Sequence, residues 1–107
     1  MGAFNTLIIN SKCNQCKIET EIRIQFKYGD TWDYKYHIGD KIVWGGNSIG
    51  KEDAKKVVLD GTSEDCIQCG VSIDYLIFIE NNTITSFEVN DGQFDFRPSD
   101  GYYLILE

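Results

Sequence analysis

Four cysteines, Cys13, Cys16, Cys66 and Cys69, form two Cys-x-x-Cys pairs, and no cysteine lies outside them. Two intervening residues let the backbone curl so that both sulfurs face one point. Amide N–H groups of the turn can then hydrogen-bond the thiolates and spread their charge. Two such turns brought together make a tetrahedral four-sulfur cage of the kind Zn²⁺ prefers. With every position filled by protein, no place is left for a substrate, so the expected ion is structural. Gly70, directly after Cys69, suits a turn that calls for a backbone conformation glycine adopts cheaply. Lys17 holds the matching place after Cys16, which makes the first turn less ideal. Lys12 and Lys17 flank that turn and would offset part of its negative charge.

Two other uses of the cysteines are weaker. A catalytic dithiol of the thioredoxin kind sits in a βαβ pattern, which this chain lacks. Structural disulfides belong to exported proteins. Residues 1–10 have no basic region and only a short apolar run, unlike a secretory signal, and nothing in the sequence resembles a membrane span. Reduced cysteines in a cytoplasmic protein are the consistent expectation. Gly2 with Thr6 matches the short myristoylation pattern, but no polybasic stretch follows.

The elements that must carry the cysteines are read from a period of two. From Lys17 to Tyr28 the even positions are Ile18, Thr20, Ile22, Ile24, Phe26 and Tyr28, and the odd ones are charged or polar. This predicts a long strand with one buried face. Gly29-Asp30 signals a turn, after which Trp32, Tyr34, Tyr36 and Ile38 alternate with polar residues. The two stretches are expected to form a hairpin with facing aromatics. Lys41–Trp44 reads as a short strand and residues 45–50 as a glycine-rich loop. Lys51–Lys56 reads as one or two helical turns, and Val57–Leu59 as β-prone. Asp60–Asp65 reads as a polar loop into the second cysteine pair. Val71–Glu80 is a strand with partial burial on both sides. Asn81-Asn82 is a hairpin turn, because Asn tolerates positive φ, and Thr83–Val89 is its return strand. A turn at residues 90–92, a strand at 93–96, a turn at 100–101 and a last strand at 102–106 complete seven to nine strands with almost no helix. The expected architecture is one all-β domain over residues 1–107, of antiparallel strands in a sandwich or partly open barrel, with a zinc-ribbon-like four-cysteine clamp. At 107 residues the chain can build one core with little to spare, so a metal staple would help.

Several other motifs carry less. Gly45-Gly46-Asn47-Ser48-Ile49-Gly50-Lys51 has the glycine and lysine positions of a phosphate-binding loop. Glu52 stands where a hydroxyl should meet Mg²⁺, and no parallel α/β framework surrounds it, so a glycine-rich turn is the better reading. His37 alternates onto the polar face and lacks an implied acid or nucleophile partner. Trp32, Tyr34, Tyr36, Trp44, Tyr102 and Tyr103 read mainly as strand core, with any exposed remainder available to stack bases, which the acidity disfavours, or to anchor a protein interface. No paired carboxylates and no Ser/His/Asp arrangement stand out, so no enzyme activity is expected.

The formal net charge is −7, and only two arginines are present. Nonspecific nucleic-acid binding rests on Lys and Arg neutralising phosphates. An acidic chain lacks that attraction unless its basic residues cluster; its charge instead suits a basic partner or simply keeps the chain in solution, the plainer reading.

The opening Met1-Gly2-Ala3-Phe4-Asn5-Thr6, the apolar strand after it and the Cys13-x-x-Cys16 turn resemble a group of small bacterial and phage zinc-ribbon-like proteins of uncharacterised activity. Those begin Met-Gly-x-Phe-Asp-Thr and carry two Cys-Pro-x-Cys-Gly knuckles. Gly39-Asp40 after an aromatic strand is also similar. This chain departs from the group in having no proline in either knuckle and no glycine after Cys16. The resemblance implies that Cys13, Cys16, Cys66 and Cys69 are ligands and brings no activity with it. The expected function is a non-catalytic, zinc-stabilised protein-binding module, in its most concrete form an acidic immunity-type inhibitor of a basic toxin. A nucleic-acid-binding zinc ribbon is the alternative, and a dithiol redox enzyme ranks below it.

Overall fold

The computed structural model describes residues 4–13, 15–46, 48–66, 69–90, 92, 94 and 103–107. Among them there is no helix, and nine strands account for the regular structure. Seven belong to one curled, half-barrel sheet, which agrees with the all-β, partly open reading. Strands β1 (Asn5–Lys12) and β2 (Glu19–Phe26) form an antiparallel hairpin, as do β6 (Lys56–Ser63) and β7 (Asp74–Glu80). The two hairpins lie side by side, joined where β2 meets β6 antiparallel at Ile24–Ser63 and Gln25–Thr62. That pairing puts the β1–β2 loop and the β6–β7 loop at the same end of the sheet. Each loop is one of the Cys-x-x-Cys turns.

The rest of the chain extends this frame. β8 (Thr83–Val89) returns along β7 through Asn81-Asn82, whose φ angles of 51° and 63° are the left-handed values such a tight turn requires. β9 (Tyr103–Ile105) pairs with the first half of β6, on the edge that β2 uses further along. Between the hairpins runs an excursion containing β3 (Gly29–Asp30), β4 (Lys35–Tyr36) and β5 (Ser48–Ile49). β3 and β5 make a separate two-stranded sheet, whereas β4 adds to β1 in parallel, the one departure from antiparallel pairing among the described strands.

One core fills the concave face. Leu7 and Ile9 from β1 meet Ile22, Ile24 and Phe26 from β2, Val57 and Leu59 from β6, and Tyr75, Ile77 and Ile79 from β7. The alternation in β2 therefore holds for Ile22 onward, while Ile18, outside the strand, is 47% exposed. On the reverse face Val58 and Leu76 are also fully buried, against Phe78, Phe94 and Leu104. The middle of the β6–β7 hairpin is thus covered on both sides, as the apolar doubling in Leu76 and Phe78 implied.

Asn5 locks the opposite end of the sheet from the cysteine loops. It is fully buried, donating from Nδ2 to the carbonyls of Tyr28 and Asp30 and accepting from the Tyr34 N–H at Oδ1. A buried amide with every bond made fixes the path of residues 28–34. Tyr28, equally buried, packs edge-on against Trp44 and Tyr103 and donates its hydroxyl to the Lys51 carbonyl.

Four expectations fail here for physical reasons. Residues 31–38 do not form a hairpin with β2: Asp33 takes a left-handed φ of 62°, Trp32 is 70% exposed, and only Lys35–Tyr36 reach a strand, pairing with β1. The facing aromatics survive without the hairpin, with Phe26 and Tyr36 rings 5.8 Å apart. Lys41–Trp44 is extended but makes one isolated bridge, Lys41 to Thr83. Residues 51–56 make a turn, not a helix, before β6 begins. The polar stretch 60–63 is strand, because Gly61 and Ser63 face inward where small residues are needed: a Cβ on Gly61 would meet Ile24 Cγ2 at 2.6 Å. The predicted strand at 93–96 and Tyr102 lie largely outside the described residues.

Candidate metal centre

The four cysteine sulfurs lie within 4.8 Å of one another. Across the two knuckles, Cys13 Sγ is 3.7 Å from Cys69 Sγ and Cys16 Sγ is 3.8 Å from Cys66 Sγ. A tetrahedron with metal–sulfur bonds of about 2.3 Å has edges of about 3.8 Å. The spacing therefore fits four thiolates around one ion. It is too long for disulfides, and all four cysteines are free.

Both knuckles solve the same local problem in the same way. In the first, the Cys13 N–H donates to the Ile18 carbonyl and the Lys17 N–H donates to the Cys13 carbonyl. In the second, the Cys66 N–H donates to the Val71 carbonyl and the Gly70 N–H donates to the Cys66 carbonyl. The fifth residue of each turn is left-handed, with φ of 64° at Lys17 and 73° at Gly70. Backbone amides serve the sulfurs as the spacing implied. The N–H groups of Cys16 and Gln15, in that order of strength, draw the Cys13 thiol down from 9.0 to about 6. The Ile18 N–H favours the Cys16 thiolate and the Val71 N–H favours that of Cys69. At both positions burial and the neighbouring sulfurs outweigh the amide: Cys16 is raised, and Cys69 is pushed up to about 12.

The electrostatics state what the site lacks by itself. Four sulfurs this close cannot all be ionised without a cation, so loss of a proton at Cys13 makes loss at Cys69 harder. A divalent ion removes that conflict, and its binding releases protons. Cys13 is buried, Cys16 and Cys66 are half-buried, and Cys69 is exposed at the lip. The cage is thus rooted in the core at one corner, where Cys13 borders Tyr75 and Ile22.

The remaining singled-out residues lie apart from this cluster. His37 is exposed, its Nδ1 3.8 Å from the Asp40 carboxylate, and is not among the clustered ligands. The glycine-rich loop satisfies itself: the Gly45 N–H donates to Ser48 Oγ, and that hydroxyl donates back to the Gly45 carbonyl. Of the aromatic set, Tyr36 is buried, Tyr34, Trp44 and Tyr103 pack against the core, and Trp32 is exposed.

One feature beside the cage was not legible in the residues. A cleft of about 160 Å³ opens between β2 and residues 64–66, with Cys13 and Cys66 in its wall. A change of register accompanies it. Residues 56–63 pair with β7 in one register, but the second knuckle closes one residue out of it, Cys66 to Val71; Glu64 still donates its N–H to the Arg23 carbonyl, and the cleft lies beyond that bond.

No helix among the described residues is long and apolar enough to cross a membrane. No family model, no curated protein and no solved structure matches this chain.

Proposed function

We propose that the chain is a non-catalytic protein-binding module, stabilised by Zn²⁺ in the reducing cytosol and directed at a basic partner. The observation that carries the metal part is the pair of 3.7 and 3.8 Å spacings across the knuckles, which suit a closed tetrahedral four-sulfur shell. Such a shell offers no open position, so the ion fastens the two hairpins together and takes no part in turnover. Zinc is the reading for four thiolates in tetrahedral array, with iron as the competing ion. The resemblance to zinc-ribbon-like proteins supports the same ligand set.

The partner part rests on charge. A net charge of −7 on a chain of this size favours encounter with a cationic surface and disfavours phosphates. The most concrete form is an acidic inhibitor that neutralises a basic toxin by covering it.

Two experiments test these parts separately. Elemental analysis of protein purified without added metal should give one zinc per chain, and a colourless solution excludes iron. A protein free of metal, with the same melting temperature before and after EDTA, ends the metal reading. For the partner, capture with the product of the neighbouring gene should weaken as salt rises and on reversal of surface Glu and Asp charges. A complex indifferent to both ends the charge reading.

A further inference from the structure

We propose that the cleft beside the cysteine cage is the docking slot of this module, and that it takes an extended, lysine- or arginine-bearing peptide segment as an added strand. The inference rests on the protein-binding reading above and deepens it by naming the site and the form of the ligand.

The first argument is the edge of β2. The Cys13 N–H bonds the Ile18 carbonyl at the start of the hairpin, so the even residues of β2 direct their peptide groups toward β1. The odd residues Glu19, Glu21 and Arg23 direct theirs to the other edge. There the Arg23 carbonyl accepts the Glu64 N–H at 2.8 Å, and pairing with the β6 side ends. The peptide group of Glu21 continues along a strand edge that, among the described residues, opens on the cleft. Such an edge is a template for one further strand.

The second argument is Tyr75. It is 3% exposed and lines the cleft, yet its hydroxyl makes no hydrogen bond with any described residue. No fully buried side-chain oxygen or nitrogen among the described residues lacks a partner, so this hydroxyl keeps some exposure, and the cleft is the open space that Tyr75 lines. A buried phenol ordinarily finds a partner. Here the partner position is the cleft, where a peptide carbonyl or amide can supply it.

The third argument is charge. Glu21, Glu64 and Asp65 line the cleft with Arg23 as the sole cation, and Arg23 Nε is already 3.0 Å from Glu21 Oε2. Three carboxylates against one guanidinium leave a surplus that cationic side chains would answer, while an acidic strand would meet repulsion.

The test is a titration of ¹⁵N-labelled, zinc-loaded protein with acetyl-Val-Lys-Val-Lys-Val-Lys-amide and with its Glu-for-Lys counterpart, read by amide chemical shifts. The cationic peptide is expected to move Glu19, Glu21 and Glu64, and the anionic one to leave them in place. Glu64→Gln with Asp65→Asn, both exposed, should weaken binding at least threefold. Tyr75→Phe, which keeps the ring, should weaken it two- to threefold and leave the melting temperature unchanged. Shifts elsewhere on the surface, equal shifts with the anionic peptide, or full affinity in the Glu64/Asp65 variant overturns the slot. The broader reading fails separately. If a basic whole protein binds and the Glu64/Asp65 variant binds it equally well, the slot is wrong and the module reading stands. If the peptide fills the slot but no basic protein is captured, the slot stands and that reading falls.

Discussion

The two knuckles reach one geometry from different sequences. Cys13 to Ile18 and Cys66 to Val71 make the same pair of backbone hydrogen bonds and the same left-handed fifth residue. At that fifth position Gly70 adopts the conformation at no steric cost, whereas Lys17 meets a penalty of roughly 1 kcal/mol. A lysine held at φ 64° indicates that closing the sulfur cage outweighs local preference. The knuckles differ also in how they leave their hairpins. The first stays in the β1–β2 register to its last pair, Lys12 with Glu19. The second slips by one residue, and the cleft lies beside the slip. One molecule thus carries identical turns on unequally registered hairpins, a rigid clamp and, beside it, a gap.

The largest test of the likeness between the knuckles is to remove what they share. A cross-link between positions about 50 residues apart is worth about 4 kcal/mol by loop entropy. Chelating the ion, or changing Cys13 or Cys66 to Ser, is expected to cost about that much, which in a domain of this size is roughly 15–30 °C in melting temperature. Calorimetry with and without EDTA measures it. If Cys13→Ser is severe and Cys66→Ser is silent, the two knuckles are not equivalent and a shared ion is the wrong account.

A smaller effect is expected where the hairpins touch. Gly61→Ala places a methyl group against Ile24 Cγ2 and forces β6 away from β2. Overpacking of this kind costs about 1–3 kcal/mol. Because the same contact aligns the knuckles, zinc affinity measured by competition with a colorimetric chelator should fall with stability. Loss of stability without loss of affinity would mean that the knuckles align independently of the β2–β6 junction.

The smallest effects sharpen the contrast most. Lys17→Gly should stabilise by about 1 kcal/mol, and Gly70→Ala should destabilise by about the same. With no described atom within 4 Å of a Cβ built at Gly70, the expected cost is backbone strain. Exchanging the two, with Lys17→Gly and Gly70→Lys in one chain, should then come close to neutral by chemical denaturation. A double variant far less stable than the native chain would show that Lys17 contributes more than a strained backbone.

How much of this is visible in the residues depends on how local each feature is. The cysteine cage is visible because Cys-x-x-Cys encodes its own turn. The β7–β8 hairpin is visible because Asn81-Asn82 encodes the left-handed pair that joins it, and the inward face of β2 because Ile22, Ile24 and Phe26 alternate. The partner of β2 is not visible: alternation names a face, never a neighbour, and β1 wins that place by direct continuity through the first knuckle. The end of β6 is hidden for the opposite reason. Gly61, Thr62 and Ser63 look like a loop, yet small residues are what the close approach of Ile24 demands. The cleft could not be read at all, since its walls come from two hairpins and their connecting turns and not from any one stretch of residues.

Asn5 has a consequence for how this protein comes apart. Its buried amide ties the start of β1 to residues 28, 30 and 34, at the far pole from the cysteine cluster. Fastenings at opposite poles divide the molecule into halves that can let go one at a time. Stripped of its ion, the chain should fray from the cysteine pole inward, exposing the amides of Lys17 and Gly70 to solvent exchange while that of Thr6, bonded to the Tyr34 carbonyl, stays shielded. The protein would then pass through a half-open form that keeps its aromatic pole folded.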